Sequence, residues 1–139
     1  MKYEVFLTVR GEQEYDGGET DKIELTADGT LEDTADGWVL SYEQTEHSER
    51  THTTILVGAQ RVVLRRSGTL KSEMVFEEGK THASVYVLPY GALTLAISTD
   101  TVHKKLSERG GLLEIRYRVA MDGRVQSKNS FKIQVRRKT

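Results

Sequence analysis

The sequence predicts an all-β fold, namely a single antiparallel β-barrel of about eight to ten strands connected mostly up and down. Apolar residues recur at every second position, which is the period of a strand with one buried face. Turn-forming dipeptides separate these alternating runs. The 139 residues suit one domain, residues 1–139, and a long antiparallel sheet tends to close, which removes its exposed edges. A β-sandwich has the same periodicity and remains the alternative.

Alternation assigns an inward face to each run in turn. Successive side chains of a strand point to opposite faces, so the apolar row of each run is expected to face the interior. From the first run to the last, the predicted inward residues are Tyr3, Val5, Leu7 and Val9; Ile23 and Leu25; Trp38, Leu40 and Tyr42; Thr53, Ile55 and Val57; Val62 and Leu64; Leu70, Met74 and Phe76; Val85 and Val87; Leu93, Leu95 and Ile97; Leu113, Ile115, Tyr117, Val119 and Met121; and Phe131, Ile133 and Val135.

Glycine-containing dipeptides mark the predicted connections. Asp-Gly suits a tight hairpin because both central residues of a type I′ turn need positive φ. The hairpin prediction is strongest at Asp28-Gly29 and Asp122-Gly123, which lie directly between alternating segments. The other turn signals are Asp16-Gly17, Asp36-Gly37, Glu78-Gly79, Tyr90-Gly91 and Gly110-Gly111.

One segment, Asp100–Gly111, is compatible with two structures. Its charged residues would suit a short helix, but Val102, Lys104 and Leu106 alternate. We expect a strand that leads into the Gly-Gly turn.

Composition excludes several classes of function. The chain has no cysteine, so it has no disulfide, thiolate zinc site or cysteine nucleophile, as a reducing cytoplasm permits. Twenty basic and 21 acidic residues give a net charge of -1, which argues against binding of nucleic acid through its phosphates. The charged, alternating N-terminal segment is unlike a signal peptide, and no apolar run is long enough to span a membrane. A cytoplasmic location is expected.

Motifs of known catalytic and metal sites are missing. The sequence contains no G-x-S-x-G, no phosphate-binding G-x-x-x-x-G-K-[ST] and no G-x-G-x-x-G. His47, His52, His82 and His103 lack the spacing of ligands on one strand, and solvated loop positions are expected for them. We therefore expect no catalytic residue, no cofactor and no metal, although an enzyme with an unfamiliar site remains a third option.

Several motifs resemble the YwiB-like family of bacterial proteins of unknown function. The resemblance covers nearly the whole chain. It rests on three groups of residues, which are Arg66, Gly68, Met74 and Phe76; Pro89, Tyr90 and Gly91; and Gly111 and Tyr117. It implies a calycin-like (lipocalin-like) β-barrel and supplies no catalytic residue. Arg65 stands where an aliphatic residue is expected in relatives.

The adjacent arginines Arg65 and Arg66 must point to opposite faces of one strand. Arg66 continues the inward row of Leu64, so it is expected inside. A buried guanidinium needs a partner, because an isolated buried charge is very unfavourable. It can act as a lock that bonds backbone carbonyls, stacks on an aromatic residue such as Trp38 or pairs with an acid such as Glu43, or as an anchor for the carboxylate or phosphate of a ligand.

These observations lead to two hypotheses of function. The first is non-enzymatic binding of a small, partly apolar and possibly anionic ligand within the barrel. The candidate site residues are Arg66, Trp38, Tyr42, Tyr86, Tyr90 and Tyr117. The alternative is a filled barrel that contacts protein or RNA through its outer surface. Five apolar residues predicted to point outward would form a dimer or partner surface if they cluster, in a monomer or weak homodimer; they are Phe6, Val39, Leu56, Val63 and Val75.

Overall fold

Ten β-strands make up the structure, a computed structural model that describes residues 1–46, 48–68 and 71–138. Two residues that entered the sequence predictions, His47 and Leu70, lie outside the described residues. In chain order the strands are Lys2–Tyr15 (β1), Thr20–Thr34 (β2), Gly37–Glu46 (β3), Glu49–Val57 (β4), Val62–Ser67 (β5), Lys71–Phe76 (β6), Thr81–Leu88 (β7), Gly91–Ser107 (β8), Gly110–Met121 (β9) and Arg124–Arg137 (β10).

The strands form one closed antiparallel barrel. Each pairs with its neighbours in sequence, and β1 pairs with β10 from Val5–Arg137 to Tyr15–Ser127. This arrangement confirms the up-and-down barrel and rules out the sandwich. It also confirms the strand predicted after Asp100, because β8 continues to Ser107. Among the described residues, no helix could cross a membrane.

The interior follows the predicted alternation in most strands. Leu7, Leu40, Ile55, Ile115 and Ile133 are completely buried, and each lies on a predicted inward row. Burial of such side chains is the main stabilising contribution in a protein of this size.

The inward face predicted for β7 is wrong. Val85 and Val87 are 47% and 49% exposed, whereas Ser84 is buried and Tyr86 packs against the core. The Val-Tyr-Val sequence is apolar on both faces, so alternation could not decide which row faces inward. Pairing with β6 decides it, since Tyr86 is the register partner of the buried Ser72.

A β-bulge in β8 shifts the phase of the alternation. The register with β9 changes between Thr99 and Thr101, which leaves Asp100 as the extra residue. Residue 102 therefore follows residue 99 on the inward face. The main-chain N–H of Val102 donates a hydrogen bond to the Glu78 carboxylate at 3.0 Å, so this donor next to the bulge has a partner.

The two hairpins predicted most strongly have opposite outcomes. Asp122-Gly123 is a turn, and both residues have positive φ, 53° and 78°. The prediction at Asp28-Gly29 is wrong, because both residues lie inside β2. A side chain at Gly29 would lie against the main-chain oxygen of Ser41, 3.0 Å from Leu7 Cδ1 and 3.2 Å from Tyr42 Cβ. Glycine is thus required there for close approach between strands rather than for a turn.

We expect Gly29→Ala to lower the free energy of unfolding by about 1–3 kcal/mol, because the added methyl group overfills this contact. Urea unfolding followed by circular dichroism measures the change. Gly11→Ala is the matched control on β1, since the nearest atom to its added Cβ is 4.0 Å away. Equal stability of the two variants would contradict the close-packing explanation.

Candidate functional site

A cavity of about 180 Å³ lies inside one end of the barrel. Its walls combine an apolar surface with a few polar and charged groups. The apolar part includes Leu64, Met74, Phe76 and Phe131, and the polar part includes Arg66, Tyr42, Tyr86, Tyr117, Gln13, Gln44, Asp21 and Glu12. At the other end of the barrel, the Lys104 ammonium donates to the main-chain oxygens of Gly58 and Ala59 across the loop between β4 and β5.

The cavity reaches solvent where β2 and β3 separate. These strands pair only from Gly29–Tyr42 to Thr34–Gly37. The earlier part of β2 keeps its pairing with β1, and its residues Ile23 and Leu25 line the cavity without a partner on β3. Ile23 is 63% exposed, which places an apolar side chain at this mouth.

Arg66 lies on the cavity wall near the C-terminal end of β5. Its side chain is half-buried, and its strand neighbours in register are Thr53 on β4 and Ser72 on β6. Within the described part of the chain, no side chain makes an ion pair or hydrogen bond with its guanidinium. Arg65, by contrast, points outward and binds Glu73 at 2.8 Å.

Two buried hydroxyl groups flank Arg66. Thr53 is fully buried and Ser72 is 6% exposed, yet neither Thr53 Oγ1 nor Ser72 Oγ has a hydrogen-bond partner among the described residues. A buried hydroxyl without a partner costs about 1–3 kcal/mol. The strand register thus places one unpaired cation and two unpaired hydroxyl groups side by side on the inner face of the barrel.

Three tyrosines complete the polar part of the cavity. The Tyr86 hydroxyl donates to Met74 Sδ at 3.2 Å, and the Tyr117 ring lies 4.9 Å from the Phe76 ring at a tilt of 60°. Burial raises the pKa of Tyr117 to about 12 and also raises the pKa of Tyr86, against a smaller lowering by Arg66. Both phenols are therefore protonated at neutral pH and can donate hydrogen bonds. Tyr42 is nearly completely buried beside them.

Two of the six candidate residues do not belong to this cavity. Trp38 pairs in register with Val57, whereas Arg66 pairs with Thr53, four residues closer to the mouth along β4. Tyr90 is 87% exposed in the turn before β8. Alternation along a strand shows which face a residue is on but not its height along the barrel axis. The predicted site therefore combined residues that lie at different heights in the barrel.

Neither of the two partners suggested for a structural lock lies beside Arg66. Trp38 lies at the other level of the barrel, as its register shows. Glu43 points outward, where its carboxylate approaches Arg50 at 3.9 Å and His52 at 3.6 Å. The prediction that Arg66 stacks on Trp38 or pairs with Glu43 is wrong.

Sequence reasoning missed several polar residues of the inner face. Ser72 lies between Leu70 and Met74 on the predicted row of β6, so parity could have identified it. Asn129, Gln13 and Asp21 are neighbours in register across β10, β1 and β2, and only the paired sheet brings them to one level.

Histidines do not form a metal site in the described residues. The expectation of loop positions is wrong for His52, His82 and His103, which lie in β4, β7 and β8. His82 Nε2 is 2.9 Å from Glu77 Oε1, and this hydrogen bond lowers the pKa of Glu77. His52 and His82 thus have carboxylate partners, Glu43 and Glu77, outside the cavity.

Four of the five outward apolar residues form a continuous row across β3, β4, β5 and β6. Val39, Leu56, Val63 and Val75 are register partners in that order, and all four are half-buried. Phe6 lies apart on β1 beneath the Arg136 guanidinium, 5.6 Å from its ring centroid. A partner surface at this row stays a prediction.

We expect the burial of Tyr117 to make the protein less stable as the pH rises above about 10. Its pKa of about 12 exceeds the value near 10 of an unfolded chain, so the unfolded state releases the proton first. The contribution of protonated Tyr117 to the free energy of unfolding is complete below about pH 10. The free energy of unfolding then falls by about 2–3 kcal/mol as the pH rises to about 12. Urea unfolding at a series of pH values should show a smaller decline for Tyr117→Phe. Tyr90→Phe is the control, and an unchanged decline in Tyr117→Phe would contradict the assignment.

Comparison with known proteins agrees with this barrel. Residues 7–133 match a family described as a domain of unknown function (DUF1934). The uncharacterized beta-barrel protein YwiB of Bacillus subtilis (strain 168) is 28% identical over 102 residues, covering 73% of this chain and 72% of the relative. The crystal structure of ywiB protein from Bacillus subtilis has a TM-score of 0.89 at 24% identity, covering 99% of this chain and 94% of that chain. Because the family match spans most of the barrel, the chain belongs to the DUF1934 family.

Proposed function

We propose that the protein binds a small, partly apolar anion inside the barrel, at Arg66, without catalysing a reaction. The observation that carries this proposal is the Arg66 guanidinium on the cavity wall with the unpaired hydroxyls of Thr53 and Ser72 beside it. Hydrogen bonds between an ionised donor and an anion are about twice as strong as neutral ones. The oxygens of a carboxylate or phosphate in the cavity would therefore pair with the Arg66 guanidinium, the one of these three groups that lines the cavity.

The apolar wall supports the second half of the proposal. Leu64, Met74 and Phe76 line the same cavity as Arg66 and form a surface suited to a hydrocarbon or aromatic body. A volume of about 180 Å³ is below the ~300–1,000 Å³ typical of drug-sized ligands, so a small metabolite fits best. Barrels of similar strand number either are filled by side chains or hold one small ligand.

Binding fits the cavity better than catalysis. The described lining includes no histidine, and its one serine, Ser130, has no acid–base pair of the kind that activates a nucleophile. The protonated tyrosines Tyr86 and Tyr117 are suited to donate hydrogen bonds to a bound anion. We keep the cytoplasm as the expected compartment, since a chain without cysteine suits a reducing environment.

The doubled arginine offers a matched test of this proposal. Hexanoate and its uncharged analogue hexanamide are titrated into the protein by isothermal calorimetry. We expect hexanoate to bind more tightly, and Arg66→Gln to weaken its binding at least about tenfold, because a hydrogen bond to a charged group contributes about 1.5–3 kcal/mol. Arg65→Gln should leave the affinity unchanged, since Arg65 is on the outer face.

Thermal unfolding of both variants separates binding from structure. If Arg66→Gln lowers stability by several kcal/mol while hexanoate affinity stays the same, Arg66 is a structural lock and the proposed function is wrong. Native mass spectrometry of gently purified protein adds a second readout, in which a reproducible extra mass should disappear with Arg66→Gln.

A further inference from the structure

The cavity carries negative charge on the side of its mouth formed by β1 and β2. Asp21 and Glu12 both line it. Glu12 approaches Lys22 at 3.8 Å, while Asp21 receives only a long hydrogen bond, 3.3 Å, from the Tyr15 hydroxyl. No cation among the described residues pairs with Asp21. The lining thus combines one cation, Arg66, with an acidic side on which Asp21 has no cationic partner among the described residues.

Hydrogen-bond acceptors accumulate on the same side of the inner face. Asn129 is 6% exposed, and its amide nitrogen donates to Ser127 Oγ at 3.0 Å. Its oxygen, Asn129 Oδ1, has no donor among the described residues. Asn129 is the register partner of Gln13, which in turn is the partner of Asp21. This acceptor-rich arc is separated from the donor-rich arc of Thr53, Arg66 and Ser72.

A simple anion does not match both arcs. It would be attracted by Arg66 but repelled by Asp21, because like charges that face one small cavity repel each other. A donor group that carries positive charge, placed away from the anionic group, removes this repulsion and pairs with Asp21. An apolar body between the two groups matches Ile23 and Leu25 on one side and Met74 and Phe76 on the other.

We infer that the ligand is amphoteric, with an anionic group at Arg66 and an amine at Asp21, on opposite ends of a small apolar body. This inference rests on the proposed function. It narrows the ligand class to amino acids or amino phosphates whose charged ends are separated by hydrocarbon or an aromatic ring. The Asp21 carboxylate accepts from the ammonium at the mouth, where the rest of the ammonium remains hydrated.

Pairs of probes that differ only in the amine test the inference. The pairs are 4-(aminomethyl)benzoate with 4-ethylbenzoate, 6-aminohexanoate with heptanoate, and 2-aminoethyl phosphate with propyl phosphate. The first two pairs represent carboxylate sources and the third a phosphate source. In each pair that binds, we expect the amine to bind at least about tenfold more tightly, as measured by isothermal calorimetry.

Variants assign the preference to a residue. Asp21→Asn and Asp21→Ser should remove the preference for the amine while leaving the affinity of the partner without the amine almost unchanged. Arg66→Gln should weaken both members of each pair. Glu24→Gln is the matched control on β2, since Glu24 points outward and binds Arg10 at 3.1 Å. Circular dichroism and thermal unfolding verify that each variant is folded.

Each outcome is decisive for one of the two proposals. Equal affinity within every pair, with binding that still depends on Arg66, would overturn the amphoteric ligand and leave the proposed function intact. A preference for the amine that persists in both Asp21 variants would also overturn it. If no carboxylate or phosphate binds the unaltered protein, the proposed function fails, and the inference fails with it.

Discussion

Closure of the sheet by pairing β1 with β10 is the constraint on which the rest of the structure depends. Without this pair, the two strands would be edges with unsatisfied N–H and C=O groups, and the sheet could flatten or associate. With it, every strand has two neighbours, and each side chain belongs either to the interior or to the outer surface. Strands far apart in sequence then contribute to one enclosed volume.

Closure also explains why the interior has two zones. Most inward positions are filled by aliphatic side chains such as Leu7, Leu40 and Ile115, which exclude water. Towards the mouth the same rows continue with polar residues, so Arg66, Thr53 and Ser72 lie at one level because the register of β4, β5 and β6 aligns them. Such unpaired polar groups reduce stability, and the apolar zone below them offsets that cost.

Alternation predicted the fold well because it reports a property of each strand by itself. It identified the buried apolar rows of β1 and β10, and it found the inward direction of Arg66 from its neighbours Val62 and Leu64. It failed at β7, where valines and a tyrosine make both faces apolar. It also failed at Gly29, whose role comes from close contact with β1 and β3 rather than from its own backbone.

The site was harder to predict because it depends on relations between strands. Parity could not show that Trp38 and Arg66 occupy different levels, since the level follows from the register and stagger of the sheet. The acidic side of the mouth was missed for the same reason. Asp21 lies near the cavity because the part of β2 that precedes Gly29 pairs with β1 but not with β3.

The outward row of Val39, Leu56, Val63 and Val75 has a consequence for folding. Each of these strands carries one apolar residue on its outer face, so a hairpin displaced by one residue would still bury some hydrocarbon at this level. In β5 such a displacement would bring Arg65 inside in place of Arg66, with the same charge and shape. In β5 the burial of hydrocarbon therefore does little to reject a register-shifted intermediate, whereas in β6 the same shift would turn Lys71 and Glu73 inward. The alignment of β5 depends on its neighbour β6, on the turns, such as the loop in which the Gly58 N–H donates to the Arg61 carbonyl at 3.0 Å, and on the closure of the barrel.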